Sequence, residues 1–287
     1  MSHPAYDLIR PETRTTSVVF ASPHSGRDYP ARFLKETVLD ERGIRSSEDA
    51  FVDDLFAVAP ECGAPFLRAC APRSFLDLNR APEELDPALI AGVRRASPNA
   101  RVASGLGVIP RVVAGGQPIY RGKITLEEAH ARILNFWRPY HDTLQTLLDE
   151  SHGAFGSAIL VDCHSMPHEA LVNARTADGK RPDIVLGDRF GAAASPRIVG
   201  RIESLFAEAG LTVARNMPFA GAYIVQHYGR PSRRQHAVQI EVDRALYMDE
   251  RTLERTADFD GFRDLLSGIV AQIAEIGRTG GTALAAE

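Results

Sequence analysis

An α/β fold is predicted for this chain, with a mixed, mostly parallel central sheet flanked by helices on both faces. Two observations predict it. Short apolar runs typical of buried strands recur along the chain, and segments with apolar residues at helical spacing separate them. Strands that alternate with helices favour a mostly parallel sheet. Because no linker interrupts the 287 residues, we expect a single domain over 1–287 with its core at about 15–276.

The first half of the chain should contain a buried strand at 17–22 and a helix at 49–59, where apolar residues have helical spacing. Short strands are expected at 65–68 and 75–78. Residues 81–123 are rich in Pro, Gly, Ala and Arg, which indicates an irregular excursion. A capping box at Thr125 and Glu128 begins a long helix, and Pro139 should kink that helix near its middle.

The second half of the chain continues the alternation. Ser195 followed by Pro196 is typical of a helix start, so a helix should cover 195–209. A C-terminal helix should cover about 250–276, and a loose tail over 277–287 contains Gly280 and Gly281. The strands of this half are expected at 157–161, 183–186, 211–214 and 237–242.

The composition excludes several classes of partner. A formal net charge of −4 gives no electrostatic case for nucleic-acid binding. No apolar stretch approaches the roughly 20 residues that span a bilayer, and the N-terminus lacks the pattern of a secretory signal. Three cysteines without a CxxC pair indicate a reducing compartment, so we expect a cytoplasmic protein. The expected partner is a small molecule, and the sequence leaves the oligomeric state open.

Two histidines suggest a metal site. His24 follows the apolar run 18–21 and His164 follows the run 158–161, so each should lie at the carboxyl end of a buried strand. That edge of an open α/β sheet is where ligands bind. Catalytic zinc typically has three protein ligands drawn from His, Asp and Glu. The third ligand could come from Glu48, Asp49 or Asp53.

Glu241 lies in the otherwise apolar strand 237–242, on the same face as Gln239. An unpaired carboxylate buried in a sheet is costly. One interpretation therefore places Glu241 on the solvent side of an edge strand, or pairs it with Arg244. The other makes it a general base whose pKa is tuned by partial burial and a nearby cation. The residues alone leave both open.

The segment Asp77-Leu78-Asn79-Arg80 ends a strand candidate, and an arginine there can clamp a carboxylate through two parallel hydrogen bonds. A surface arginine in a turn is the alternative. Spacing does not choose among the further candidates, which are Arg73, Arg111, Arg121, Arg215 and Arg244. The chain has no GxSxG, Walker A or HExxH sequence, and no GxGxxG follows the first strand.

Seven segments, taken together, resemble the N-formylglutamate amidohydrolase (deformylase) family. They occur in the family's order and span about residues 17–250. That family is related to the zinc carboxypeptidases and to aspartoacylase-like amidohydrolases. The segments are Ser22-Pro23-His24-Ser25-Gly26, Glu48-Asp49 with Leu55-Phe56, Asp77-Leu78-Asn79-Arg80, Trp137-Arg138-Pro139-Tyr140-His141, Asp162-Cys163-His164-Ser165, His227-Tyr228-Gly229-Arg230-Pro231 and Ala237-Val238-Gln239-Ile240-Glu241.

The resemblance implies a zinc carboxypeptidase-like fold with zinc at the strand ends. It implies that His24, Asp49 and His164 bind the zinc ion, because Asp49 matches the family's acidic ligand better than Glu48. It also implies that Glu241 is the general base. In the same way, Asp77 to Arg80 is similar to the family's carboxylate-binding segment, and Arg73 occupies the position of an oxyanion-stabilising arginine.

The function implied is zinc-dependent hydrolysis of an N-acyl amino acid, with N-formyl-L-glutamate as the first substrate to test. Asn79 and Arg80 would hold one substrate carboxylate, and Arg121 the second. One alternative is a zinc carboxypeptidase or peptidoglycan-type amidase, whose cleft the 81–123 excursion could form or block. Another is a catalytically silent binder of amino-acid-like ligands. Because 165–168 departs from family members assigned to histidine breakdown, the acyl group and the amino acid stay open.

Overall fold

The computed structural model describes residues 4–93, 99–176 and 179–278, which form two compact units. The segments of the two units alternate along the chain, so no single linker separates them. The prediction of one domain over 1–287 stays a prediction. The first unit contains residues up to Asp7, Pro23–Ala50 and Arg68–Thr143, and the second contains Leu8–Ser22, Phe51–Leu67 and residues from Leu144 onward.

Eleven strands are present within the described residues: β1 (Tyr6–Ile9), β2 (Val18–Ser22), β3 (Phe66–Ala69), β4 (Ile90–Ala91), β5 (Ile124–Thr125), β6 (Ala158–Met166), β7 (Ile184–Gly187), β8 (Val213–Arg215), β9 (Gln235–Asp243), β10 (Met248–Asp249) and β11 (Glu254–Arg255). Seven of them form the main sheet, in the order β1-β3-β2-β6-β9-β7-β8. The β2–β6, β6–β9 and β7–β8 pairs are parallel, and β7 runs antiparallel to β9. The predicted mixed, mostly parallel sheet is therefore confirmed.

The described helices are α1 (Ala31–Glu36), α2 (Glu41–Arg45), α3 (Val52–Leu55), α4 (Ala100–Ala103), α5 (Leu126–Arg132), α6 (Arg138–Phe155), α7 (Pro196–Glu208), α8 (Tyr223–Tyr228) and α9 (Phe259–Arg278). In the second unit, α9 packs against α3, α7 and β2, and α8 packs against β6 and β9. Among the described residues, no helix combines the length and the apolar character needed to cross a bilayer.

Several predicted elements differ from the structure. Residues 75–78 form no strand, because a turn in which Phe75 and Leu76 donate to the Pro72 carbonyl directs them into loops. Their apolar pattern reflects burial rather than sheet pairing. The helix predicted at 49–59 is reduced to α3, and Phe51 precedes it with a φ of 64°. The C-terminal helix begins only at Phe259, because β10 and β11 form a small hairpin before it.

The helix predicted from the capping box begins where expected, since the Thr125 hydroxyl accepts a hydrogen bond from the N–H of Glu128. Ile133–Trp137, which lie directly before Arg138 and Pro139, form a π-helix that joins α5 to α6. The Arg138 N–H donates to the carbonyl of Ile133, five residues back. Pro139 lies just after this widened turn. Because a proline cannot donate an amide hydrogen bond, the helix is irregular at the position where the sequence predicts a kink.

The central strands are buried along their length, because the sheet lies beneath packed helices. All residues of β2 and β6 are buried, and so is all of β9 after Gln235. Strands enclosed on both faces are expected to be continuously apolar. Polar residues interrupt this pattern in the middle of both strands, with Asp162 and His164 in β6 and Gln239 and Glu241 in β9.

His236 makes the stability of the second unit dependent on pH. Burial, together with the nearby charges of His152 and Arg234, lowers its pKa to about 4. Its Nδ1 accepts a hydrogen bond from the N–H of Ser195, the residue that caps α7. The folded pKa lies below the unfolded value of about 6.5. The unfolded chain therefore binds more protons between these values, and stability is lost as the pH falls through this window.

We expect the free energy of unfolding to fall by about 1–3 kcal/mol between pH 7 and pH 4 on account of His236, after allowance for solvent screening. His236→Asn retains an acceptor near the position of Nδ1 but does not titrate in this range. Urea unfolding at several pH values would measure both slopes. Equal slopes for the variant and the wild type would contradict this assignment.

Candidate metal centre

The parallel pairing of β2 with β6 determines where the two histidines lie. Ala21 is the register partner of Asp162, and both strands run in the same direction. His24 comes two residues after the end of β2, so it reaches the same edge of the sheet as His164. The strand prediction was too short here, because β6 continues to Met166 and contains His164 instead of ending before it.

His24, Asp49 and His164 form a buried group that fits a metal ion. Each offers one ligand atom, and these three atoms lie within 4.8 Å of one another. The N–H of Asp49 also donates to the carbonyl of His24, at 3.0 Å. Two imidazoles and one carboxylate are a donor set that suits zinc. The chemistry of the side chains thus fits the predicted cofactor.

The ring of His24 is oriented by a second carboxylate. Its Nε2 lies 2.7 Å from Oδ1 of Asp77, while its Nδ1 lies 3.5 Å from Oδ2 of Asp49. Arg73 Nε donates to the other Asp77 oxygen at 3.1 Å. Burial acts to raise the pKa of Asp77, but His24, Arg73 and Arg80 together hold that pKa well below its usual range. Asp77 is therefore a carboxylate that fixes the tautomer of His24.

Glu48 is buried beside Asp49 but has a different set of contacts. Its carboxylate accepts hydrogen bonds from the guanidinium of Arg45 and from the hydroxyl of Tyr29. Burial raises the pKa of Tyr29, and the charge of Glu48 raises it further. Glu48 is thus engaged in an ion pair and a hydrogen bond, whereas Asp49 lies with the two histidines.

The loop Asp77–Arg80 is held by the helical segment 137–141, one of the seven segments that carry the family resemblance. The indole N–H of Trp137 donates to the Arg80 carbonyl at 2.9 Å, and His141 Nε2 lies 2.9 Å from the Leu78 carbonyl oxygen. Arg80 is buried, and its Nε and Nη1 donate to the carbonyls of Leu106 and Asn79. Arg80 therefore stabilises the loop through backbone contacts, in addition to any contact with a substrate.

Gly26 allows the loop after His24 to pass close to a neighbouring segment. A Cβ at this position would overlap the Ala71 carbonyl oxygen and lie 2.7 Å from the Cys70 carbonyl oxygen. The Asp28 N–H donates to the Cys70 carbonyl at 2.9 Å. The small residue is thus required by the close backbone approach that fixes this loop.

Glu241 lies inside the sheet, since β9 is placed between β6 and β7. The interpretation of a solvent-facing edge position is therefore wrong. Its side chain is buried, and Gln239 Nε2 donates to its Oε1 at 2.7 Å. Its register partner across the parallel ladder is His164. The carboxylate of Glu241 thus lies near the same strand ends as His164, a candidate metal ligand.

The remaining predicted residues lie at different depths. Asn79 is buried, whereas Arg121 is exposed on the loop before β5. Asp53, the third acidic alternative, is buried in α3 and is not part of the metal-ligand group. The sequence analysis missed Asp77 as a partner of His24. The sequence marked Asp77 only as a member of the segment Asp77–Arg80. The contact with His24 was not visible, because the two residues lie 53 positions apart.

Comparison with known proteins identifies the family. A sequence profile described as N-formylglutamate amidohydrolase matches residues 16–248. An N-formylglutamate deformylase of Pseudomonas putida is 31% identical over 240 residues, which cover 81% of this chain and 82% of that protein. The chain belongs to the N-formylglutamate amidohydrolase family. A second deformylase, from Pseudomonas aeruginosa, is 31% identical over 267 residues and 90% of each chain.

Solved structures agree with membership of the N-formylglutamate amidohydrolase family. The crystal structure of N-formylglutamate amidohydrolase from Ralstonia eutropha JMP134 is 35% identical, with a TM-score of 0.90, and the match covers 97% of this chain and 100% of that one. A protein from Agrobacterium tumefaciens shares the fold at 18% identity, with a TM-score of 0.63 and coverage of 94% and 96%. The family resemblance in the sequence is thus confirmed.

The third ligand can be tested with a pair of adjacent substitutions. In this member of the amidohydrolase family, Asp49→Asn should weaken zinc binding at least about 100-fold, because it removes a charged ligand. Glu48→Gln should leave zinc binding intact and cost about 1–2 kcal/mol of stability through the loss of the Arg45 ion pair. Zinc titration of the metal-free variants measures the first effect and urea unfolding the second. The reverse pattern would assign the ligand to Glu48.

Proposed function

We propose that this protein catalyses the metal-dependent hydrolysis of N-formyl-L-glutamate to formate and L-glutamate, with zinc as the metal. The observation that carries the proposal is the buried group of His24, Asp49 and His164 in a member of the N-formylglutamate amidohydrolase family. The two Pseudomonas relatives bear the name of this activity and match most of their length to this chain.

His24, Asp49 and His164 would hold the zinc ion. When bound, zinc would lower the pKa of a water molecule toward neutrality and polarise the formyl carbonyl. Asp77 holds the His24 ring through Nε2 and so directs Nδ1 of that ring toward Asp49. The chain thereby supplies a pre-oriented set of ligands that does not need to rearrange.

Glu241 would act as the general base. Its carboxylate accepts the proton of the attacking water and then transfers that proton to the departing amine nitrogen, which is a poor leaving group without it. Gln239 holds the carboxylate at Oε1 and therefore limits its rotation. Burial of Glu241 in the sheet favours this role over that of a surface residue.

The arginines would bind and stabilise the substrate. Arg73 is half-buried and ion-paired to Asp77, so its guanidinium has a fixed position next to the partner of His24. There it would stabilise the negative oxygen that forms on the formyl carbon. Asn79 and Arg80 would hold one carboxylate of the substrate. Arg121, which is exposed, would have to approach the second carboxylate when the substrate binds.

A substrate panel tests the proposal. The zinc-loaded protein is incubated with N-formyl, N-acetyl and N-succinyl amino acids and with small peptides. Release of formate from N-formyl-L-glutamate supports the proposal. Release of C-terminal amino acids from peptides would instead support a carboxypeptidase or peptidoglycan-type amidase. Stoichiometric zinc without turnover of any compound would support a non-catalytic binder.

Glu241→Gln should retain zinc and lose most turnover. The amide cannot accept the proton, and general acid–base groups typically contribute about 10²–10⁴-fold. Formate release at saturating substrate measures kcat, and metal analysis verifies the zinc content. The matched control is Glu254→Gln, a change at an exposed position of β11 that should leave both quantities unchanged. Near-normal turnover in Glu241→Gln would remove this residue from the role.

Arg73→Gln should lower kcat by about 10²–10³-fold with a smaller change in KM, because an oxyanion contact forms fully only in the transition state. Arg68→Gln is the matched control, since Arg68 is also partly buried and forms an ion pair with Asp7, and it should leave both parameters unchanged. Steady-state kinetics of both variants would separate the two parameters. A rise in KM alone for Arg73→Gln would indicate ground-state substrate binding instead.

A further inference from the structure

Two pairs of polar residues occupy one face of the main sheet in the second unit. Asp162 and His164 lie two residues apart on β6, and Gln239 and Glu241 lie two residues apart on β9. The parallel register aligns Asp162 with Gln239 and His164 with Glu241. Residues two apart on a strand share a face, so the four side chains form two rows. Asp162 and Gln239 make up the inner row. Gln239 holds Glu241 in the proposed mechanism, but Asp162 has no role in it so far.

A close backbone approach lies beside the Gln239 end of the inner row. Gly187 of β7 is the antiparallel partner of Gln239. A Cβ on Gly187 would lie 2.7 Å from the nitrogen of Gly221 and 2.8 Å from the carbonyl carbon of Ala220. Chain from the segment before α8 therefore lies directly against this face. Asp162, in the next strand of the same row, is itself 0% exposed.

A carboxylate at this depth requires a specific partner, because burying an isolated charge costs much free energy. His164 provides it: its Nε2 lies 3.0 Å from Oδ2 of Asp162. This is an ion-pair distance, while neither Asp162 oxygen has a hydrogen-bond partner among the described residues. The charge of Asp162 therefore acts on the ring of His164.

The arrangement repeats the one at His24. There too a buried carboxylate, Asp77, lies next to Nε2 of the ring, at 2.7 Å. In both histidines, Nε2 faces a carboxylate that is not part of the metal-ligand group. An imidazole that donates its N–H from one nitrogen can bind a metal only through the other. Nδ1 is thus the ligating atom that both environments select.

We propose that Asp162 is a positioning residue that accepts the Nε2–H of His164 and so holds its Nδ1 in the form that binds the metal. The inference rests on the proposed function for the identity of the metal centre. It assigns to Asp162 a role in metal affinity and none in contact with the substrate. Its consequence is that removal of the charge weakens the metal site without loosening the sheet.

The first test measures zinc affinity of the full-length protein by competition with a chelator. Asp162→Asn should bind zinc about 10–100-fold more weakly, while the metal-free protein should melt at the wild-type temperature or above it, since a buried charge has been removed. The matched control is Asp188→Asn, another buried carboxylate of the second unit, which accepts a hydrogen bond from Asn216 Nδ2 at 2.7 Å. It should lose stability but keep its zinc affinity. A zinc affinity of Asp162→Asn within twofold of wild type would overturn the inference.

The second test does not depend on whether Asp162→Asn folds. In the metal-free wild-type protein, nitrogen NMR of ¹⁵N-labelled histidine should show His164 with its proton on Nε2, assigned by the loss of the signal in His164→Ala. A proton on Nδ1 would overturn the inference even if Asp162→Asn does not fold. If the wild type binds no zinc at all, the proposed function fails, but the tautomer can still be read. The two failures are therefore distinguishable.

Discussion

The parallel alignment of β2, β6 and β9 is the constraint on which the rest of the site depends. Three neighbouring strands that run in the same direction end at one edge, and their register sets which side chains meet there. Because Ala21 aligns with Asp162 and Asp162 with Gln239, the residues beyond them are aligned as well. A slip of one residue in β9 would turn Glu241 to the opposite face. The packing of the apolar residues in these strands thus determines the register, and the register determines where the polar side chains of the site lie.

The polar positions of the site were visible in the sequence because they break an otherwise apolar pattern. His24, His164 and Glu241 each occur next to or within a buried strand. A polar side chain there costs free energy unless it has a partner or a ligand. Their spacing could not identify the acidic ligand, since Glu48 and Asp49 are adjacent. The family resemblance favoured Asp49, and the structure separates the two by their contacts with Arg45 and Tyr29.

Other features could not be derived from the sequence, for physical reasons. Residues 75–78 carry strand-like apolar residues, yet a turn and long-range packing outweigh that local preference. Asp77 meets His24 only through tertiary structure, so no local pattern reveals the contact. The late start of α9 has a similar cause, because apolar and charged residues at 250–258 are compatible with either a helix or the small hairpin that forms.

The alternation of the two units along the chain has a consequence for the order of folding. Residue 18 of β2 pairs with residue 159 of β6, and β6 in turn pairs with β9, which begins at residue 235. During synthesis, β2 must therefore wait for more than half of the chain before its parallel neighbour exists. Pairing between such distant segments slows folding, because a long loop must close before any contact forms. The centre of this sheet is thus the part that is completed late, and the site at its edge can form only after it.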